Sequence, residues 1–125
     1  MQDFETLINI AKRKSAYDQT NPWYNGSKTY LSEIKSEIDE VIEEIPKDRL
    51  CFLEDELADV LWDYLNIIMS LEKETGVELK SVLSRACQKY ETRIAGIENG
   101  ESWAQIKAKQ KLALTAEHRS FKKTS

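Results

Sequence analysis

Between Pro46 and Gly76 the chain carries neither glycine nor proline, and its apolar residues recur at helical spacing. Leu53, Leu57, Leu61, Tyr64, Ile68 and Leu71 mark the main stripe of a helix expected from about Arg49 to Thr75, capped by Asp48 and stopped by Gly76. Ala58, Trp62, Leu65 and Met69 lie away from that stripe, so this segment is apolar over most of its circumference. Such a rod needs cover on more than one side. A single small bundle covers it poorly, which favours a homodimer built around this helix over burial by the first and last helices of the same chain.

The flanking segments are helical too. Asp3 is placed to cap a first helix, whose Phe4, Leu7, Ile8 and Ala11 share a face up to the polar run Tyr17–Asn21, and Pro22 and Gly26 mark a loop. A second helix is expected from about Lys28 to Ile45, with Leu31, Ile34, Ile38, Val41 and Ile45 inward and Pro46 ending it. A fourth runs from Leu79 to about Ala95, ending near Gly96 and Gly100. Ser102 and Gln105 have capping-box spacing, so a short fifth helix is expected from Trp103 to about Thr115. The expected architecture is all-α, a four- to five-helix bundle, with one domain over residues 1–116 and a polar, frayed tail over 117–125.

With 41% hydrophobic and 32% charged residues, four Gly and two Pro, the composition suits a compact helical domain. A formal charge of -4 gives no general attraction to nucleic acid. The richest apolar stretch, Leu57 to Leu71, is interrupted by Asp59, Asp63 and Asn66 and is too short to span a bilayer. Gln2, Asp3 and Glu5 do not resemble a targeting signal. Cys51 and Cys87 lie outside metal or redox spacing and are expected as buried thiols, which together with the missing signal gives a cytoplasmic protein.

Acidic residues decorate the wrong side of two of these helices. Glu33, Glu37, Glu40 and Glu44 form an arc about a quarter-turn from the apolar face of the second helix, and Glu56, Asp59 and Asp63 line the edge of the main stripe of the third. Packed antiparallel across the Pro46 connection, the two helices bring Glu37, Glu40, Glu56 and Asp59 into one small volume. Carboxylates so placed raise one another's pKa or recruit cations. An all-oxygen set selects a hard ion, Mg²⁺ or Mn²⁺, and two such ions would balance four carboxylates. The loaded site would attract phosphate, polarise a phosphoryl oxygen and activate water. The plainer alternative is a solvated Glu-rich helix with local pairs such as Glu37 with Lys35. Lys89 and Arg93 share a face of the fourth helix, and Lys107 follows Trp103 by four, supplying positive charge suited to phosphate.

Asn21-Pro22-Trp23, Glu37-x-x-Glu40, Glu56-Leu57-Ala58-Asp59, Lys89-x-x-x-Arg93 and Trp103-Ala104-Gln105-Ile106-Lys107, in that order, resemble the MazG-like all-α nucleoside triphosphate pyrophosphohydrolases. The resemblance spans nearly the whole chain. It implies Mg²⁺ ligands at Glu37, Glu40, Glu56 and Asp59 and hydrolysis between the α and β phosphates to nucleoside monophosphate and pyrophosphate. It also implies phosphate contacts from Lys89, Arg93 and Lys107, stacking by Trp103, a base pocket lined by Trp23, and a dimer or dimer of dimers. Two departures stand out. Tyr24 follows Trp23 where many relatives carry an acid, and Asp63 adds a carboxylate one turn beyond Asp59, placed to contact the sugar, join the metal or remain merely polar. The expected role is removal of non-standard or excess deoxynucleotides. The alternatives are a dUTPase-like or dCTP-preferring relative and, from another class, a non-catalytic dimerisation or adaptor module binding a basic partner.

Overall fold

A computed structural model describes residues 2–124, with side chains through residue 121. Its elements are α1 (Gln2–Asp18), α2 (Ser27–Glu44), a 3₁₀ turn (Ile45–Lys47), α3 (Leu50–Thr75), α4 (Leu79–Glu98) and α5 (Trp103–Thr124), with no strand among the described residues. None of these helices is long and apolar enough to cross a membrane. The chain divides into two compact units, Met1–Leu79 and Lys80–Ser125.

In the first unit α3 is the shared wall, packing against both α1 and α2. Ala11, Tyr30, Leu65, Ile67, Ile68, Met69 and Leu79 are buried apolar residues here. Pro46 ends α2 as its spacing predicts, and the chain turns through the 3₁₀ residues into Asp48, which takes left-handed geometry at φ 55. Asp48 is therefore the pivot of the turn and not the expected cap; Arg49 occupies the N-cap of α3 without a side-chain capping bond. Across this turn Arg49 donates to Glu44 through Nε at 2.9 Å and Nη2 at 2.7 Å. The other end of α2 is fastened by Glu74 of α3, whose carboxylate accepts from Ser27 N and Ser27 Oγ, both at 2.7 Å. A carboxylate at a helix N-terminus meets free N–H groups and the positive end of the helix dipole. Gly26 at φ 70 is required beside it, since a Cβ there would lie 2.9 Å from Glu74 Oε2.

The burial of α3 departs from the main-stripe expectation. Over residues 65–70 the helix is buried all round, whereas Leu57, Leu61 and Tyr64 of the stripe are 50%, 39% and 43% exposed. Leu31 and Ile38 on α2 and Ile45 in the 3₁₀ turn are exposed as well. The interior instead takes the side carrying Leu65 and Met69, together with the polar Asp63, Asn66 and Ser70. Cys51 and Cys87 are free thiols but exposed, against the expected burial, because each sits on a solvent-facing side of its helix. Asp3, expected as a cap, lies within the first turn of α1.

In the second unit α4 and α5 form an antiparallel hairpin about the left-handed Gly100 (φ 87). The capping box forms as its spacing predicts: Gln105 N donates to Ser102 Oγ at 3.1 Å and Ser102 N to Gln105 Oε1 at 3.3 Å. Ile106 is buried and lies against Gly96, which continues α4 past Ala95. Further along, Arg93 bonds Gln110, and Arg85 bonds Glu117 through both terminal nitrogens. α5 runs well past Thr115, where its periodicity fades. Thr115 bonds back to Lys111 O, and Glu117 is tied to α4, so the polar stretch stays helical to Thr124, with Ser125 outside the described residues.

Candidate metal centre

The antiparallel packing of α2 on α3 places ligand oxygens of Glu37, Glu56 and Asp59 within 4.8 Å of one another. Glu40 lies in hydrogen-bonding reach of both Glu37 and Glu56, so the four carboxylates expected from the sequence do converge. Burial first, then Glu40, Asp59 and Asp63, push the Glu37 carboxyl up to about 7. Glu56 is raised by desolvation, Glu40, Asp59 and Asp55, and Asp59 by desolvation, Asp55 and Glu40. Asp63, one turn further, is held up at about 6 by its burial and by Glu33 and Asp59.

The treatment of acids elsewhere in the same unit gives this cluster its meaning. Asp18 is paired with Lys14 and accepts from Tyr30 Oη and Asn21 Nδ2. Glu44 is held below its ordinary value chiefly by its hydrogen bonds from Arg49, Glu74 caps α2, and Glu72 accepts from Leu79 N at 2.9 Å. Among the described residues, the buried side-chain polar atoms without a partner are Glu37 Oε2, Glu56 Oε2, Asp63 Oδ2 and Asn66 Oδ1. All four lie along the α2–α3 seam. The Glu37 and Glu56 oxygens belong to the converging acidic set and fit a hard divalent cation, which would supply their missing partners. A solvated helix face would leave no such orphans.

The profile of the MazG nucleotide pyrophosphohydrolase domain matches residues 25–96, more than half of the chain and all of the seam. This chain belongs to the MazG family. Neither the curated proteins nor the solved structures offer a match. Members of the family generally depend on a divalent metal, in keeping with the donor set found here.

The other expected site residues of this MazG domain fall in two places. In the first unit Trp23 is half-exposed, edge-on to Tyr30 at 5.6 Å, with Lys14 Nζ 5.1 Å from its ring centre. Its backbone N–H donates to Asn21 Oδ1, and Asn21 in turn donates to Asp18. The loop bearing Trp23 is thus anchored by a buried acid absent from the sequence expectations. Tyr24, the departure from the family pattern, is accounted for by its hydroxyl donating to Ser70 Oγ at 2.8 Å. In the second unit Arg93 is 8% exposed, with its guanidinium 5.0 Å from the Trp103 ring centre and 5.3 Å from that of Tyr90. Its Nε donates to Gln110 at 2.7 Å, and no carboxylate balances its charge among the described residues. A buried cation left unneutralised suits an anionic ligand. Lys89 and Lys107 are both exposed.

Asn66 was the residue least visible in sequence reading. It interrupts the apolar stretch, and Glu56, Asp59, Asp63 and Asn66 follow one another at helical spacing and form a single polar line. That periodicity was the available signal.

Proposed function

We propose that this MazG domain hydrolyses nucleoside triphosphates, deoxynucleotides among them, between the α and β phosphates, in a Mg²⁺-dependent reaction yielding nucleoside monophosphate and pyrophosphate. The observation that carries the reading is the carboxylate set itself: Glu37, Glu40, Glu56 and Asp59 converge with no basic partner among the described residues, whereas the buried Asp18 and Glu44 are each paired with a cation. These four residues would hold the metal, which when bound offsets the charge of substrate and cluster and polarises the phosphoryl group. One carboxylate of the set would accept the proton of the attacking water. Arg93, held by Gln110 and flanked by Trp103 and Tyr90, would bind phosphate oxygens with a fork already oriented, and Lys89 and Lys107 would add charge. Trp23 offers an exposed ring for stacking a base.

The exposed stripe of Leu57, Leu61 and Tyr64 supports self-association of α3, as a homodimer or a dimer of dimers. Such an enzyme would act on the nucleotide pool of the cytoplasm. The deciding experiment measures pyrophosphate released from a panel of nucleotides with Mg²⁺ and with chelator. Glu40→Gln or Asp59→Asn should lower turnover by about 100-fold or more while circular dichroism stays unchanged. An adaptor module would release none at all.

A further inference from the structure

The polar line of α3 does not end at the metal centre. Beyond Glu56 and Asp59 it continues through Asp63, 6% exposed, and Asn66, 1% exposed, to Ser70, 2% exposed. Ser70 is satisfied by Tyr24, which closes the far end of the line. Asp63 Oδ2 and Asn66 Oδ1 are not satisfied. The orientation of the Asn66 amide is fixed, because its Nδ2 donates to Trp62 O at 2.9 Å and a carbonyl oxygen can only accept. Oδ1 is therefore the atom left over, and it is an acceptor. Asp63 Oδ2 is a second buried oxygen that no donor of the described residues reaches. Two neighbouring buried acceptors, one helical turn apart, face no donor of the protein.

From Asp59 to Asn66 the helix rises about 10 Å, a reach suited to a nucleoside whose phosphates lie at the carboxylates. We propose that Asp63 Oδ2 and Asn66 Oδ1 form the base-reading edge of this site and select nucleobases that carry an exocyclic amino group, cytosine or adenine, over the keto bases uracil and thymine. An amino group has two N–H donors and satisfies both oxygens. A keto oxygen in the same place sets lone pair against lone pair, and the adjoining imide N3–H can satisfy only one of the two acceptors, so at least one stays buried and unpaired, an arrangement that binding sites reject strongly. Trp23, whose chain neighbour Tyr24 reaches Ser70 of α3, offers an exposed ring beside which a base could stack.

This inference rests on the proposed hydrolase reading, and its test separates the two. The full chain is titrated calorimetrically, in Mg²⁺, with the α,β-methylene analogues of dCTP, dATP, dUTP and dTTP. The expected result is binding of the dCTP analogue, the dATP analogue or both about tenfold or more tighter than the keto pair. Asn66→Leu, close to asparagine in size, should abolish the preference by weakening only the amino-bearing ligands. In the nucleotide-free protein it should also raise Tm, because it removes an unsatisfied buried acceptor. Asp63→Asn, which keeps the shape, should reduce the preference as a second, independent variant. Equal binding of all four analogues, or a preference that survives both substitutions, overturns the proposal and leaves the two oxygens with an internal water only. If hydrolysis persists in that case, the hydrolase reading stands alone. If no analogue binds and no nucleotide is cleaved, both fall.

Discussion

Neutralising one carboxylate of the cluster should stabilise the metal-free protein, which is the reverse of what removing a polar residue from a paired network does. Glu37→Gln keeps size and deletes charge. In the wild type the ligand oxygens of Glu37, Glu56 and Asp59 lie within 4.8 Å. At that separation two unit charges repel by about 3.5 kcal/mol at an effective dielectric of about 20 and by about 0.9 kcal/mol in a water-like medium. The cluster is open on one side, so solvent screening places the gain nearer the lower figure, about 1–2 kcal/mol, or about 4–8 °C in Tm for a chain of this size.

The gain has a definite pH window. Glu37 titrates at about 7 when folded, against 4.5 for its ordinary value, so between those limits the folded protein holds a proton that the unfolded chain has lost. Stability from that proton is fully present below 4.5 and is lost as pH rises through 7. Glu37→Gln should therefore match the wild type near pH 4 and exceed it near pH 8. The assay is thermal unfolding in chelator at fixed protein concentration across that range, repeated with Mg²⁺. Mg²⁺ should raise the wild-type Tm increasingly with pH and raise the variant's much less, since ligands must be deprotonated to bind. A Glu37→Gln protein no more stable than wild type at pH 8 without metal, or an equal Mg²⁺ shift in both proteins, refutes the reasoning.

Three further outcomes follow from other parts of the molecule. Arg93→Lys loses the planar fork that Gln110, Trp103 and Tyr90 hold in place, so KM for the nucleoside triphosphate should rise about tenfold or more in steady-state kinetics, despite the retained charge. Gly96→Ala puts a Cβ 2.5 Å from Ile106 Cδ1, a side chain too buried to retreat, and should cost about 1–3 kcal/mol in urea denaturation, recovered in part by adding Ile106→Val. Leu61→Asp places a charge in the exposed stripe of α3, and light scattering should then find monomer where the wild type is a dimer or larger. A folded wild-type monomer at micromolar concentration would refute the dimer.

The parts of this fold that were legible in sequence are those written in short-range spacing. Pro46, Gly76 and the Ser102–Gln105 box each act within a turn of their own position, and each does in the structure what its chemistry dictates. The carboxylate pairs were legible for the same reason, since three-residue spacing fixes a helix face. Burial of α3 was not. Whether Leu57 or Leu65 faces the interior depends on which neighbours arrive, and a helix apolar on two sides gives no internal preference. The part of Tyr30 in the Lys14–Asp18 pair was also hidden, because Tyr30 lies 12 residues from Asp18 and 16 from Lys14 and meets them only when the loop carrying Trp23 folds back. Asp48 shows the opposite failure: a residue of good capping type was drawn into a left-handed turn, where short polar side chains are also at home.

The way α2 is held explains how a repulsive seam survives without metal. Its N-terminus is bound to α3 by the two hydrogen bonds to Glu74, and its C-terminus is bound across the turn by the paired bonds between Arg49 and Glu44. Glu37 and Glu40 lie between these fastenings, so their repulsion from Glu56 and Asp59 cannot be relieved by splaying one helix away without breaking a charge-assisted clamp. The strain goes instead into raised carboxyl pKa values and unpartnered oxygens. A cation arriving at such a seam has little assembly to do. It would relieve a conflict that the fold already maintains, without first having to order its ligands.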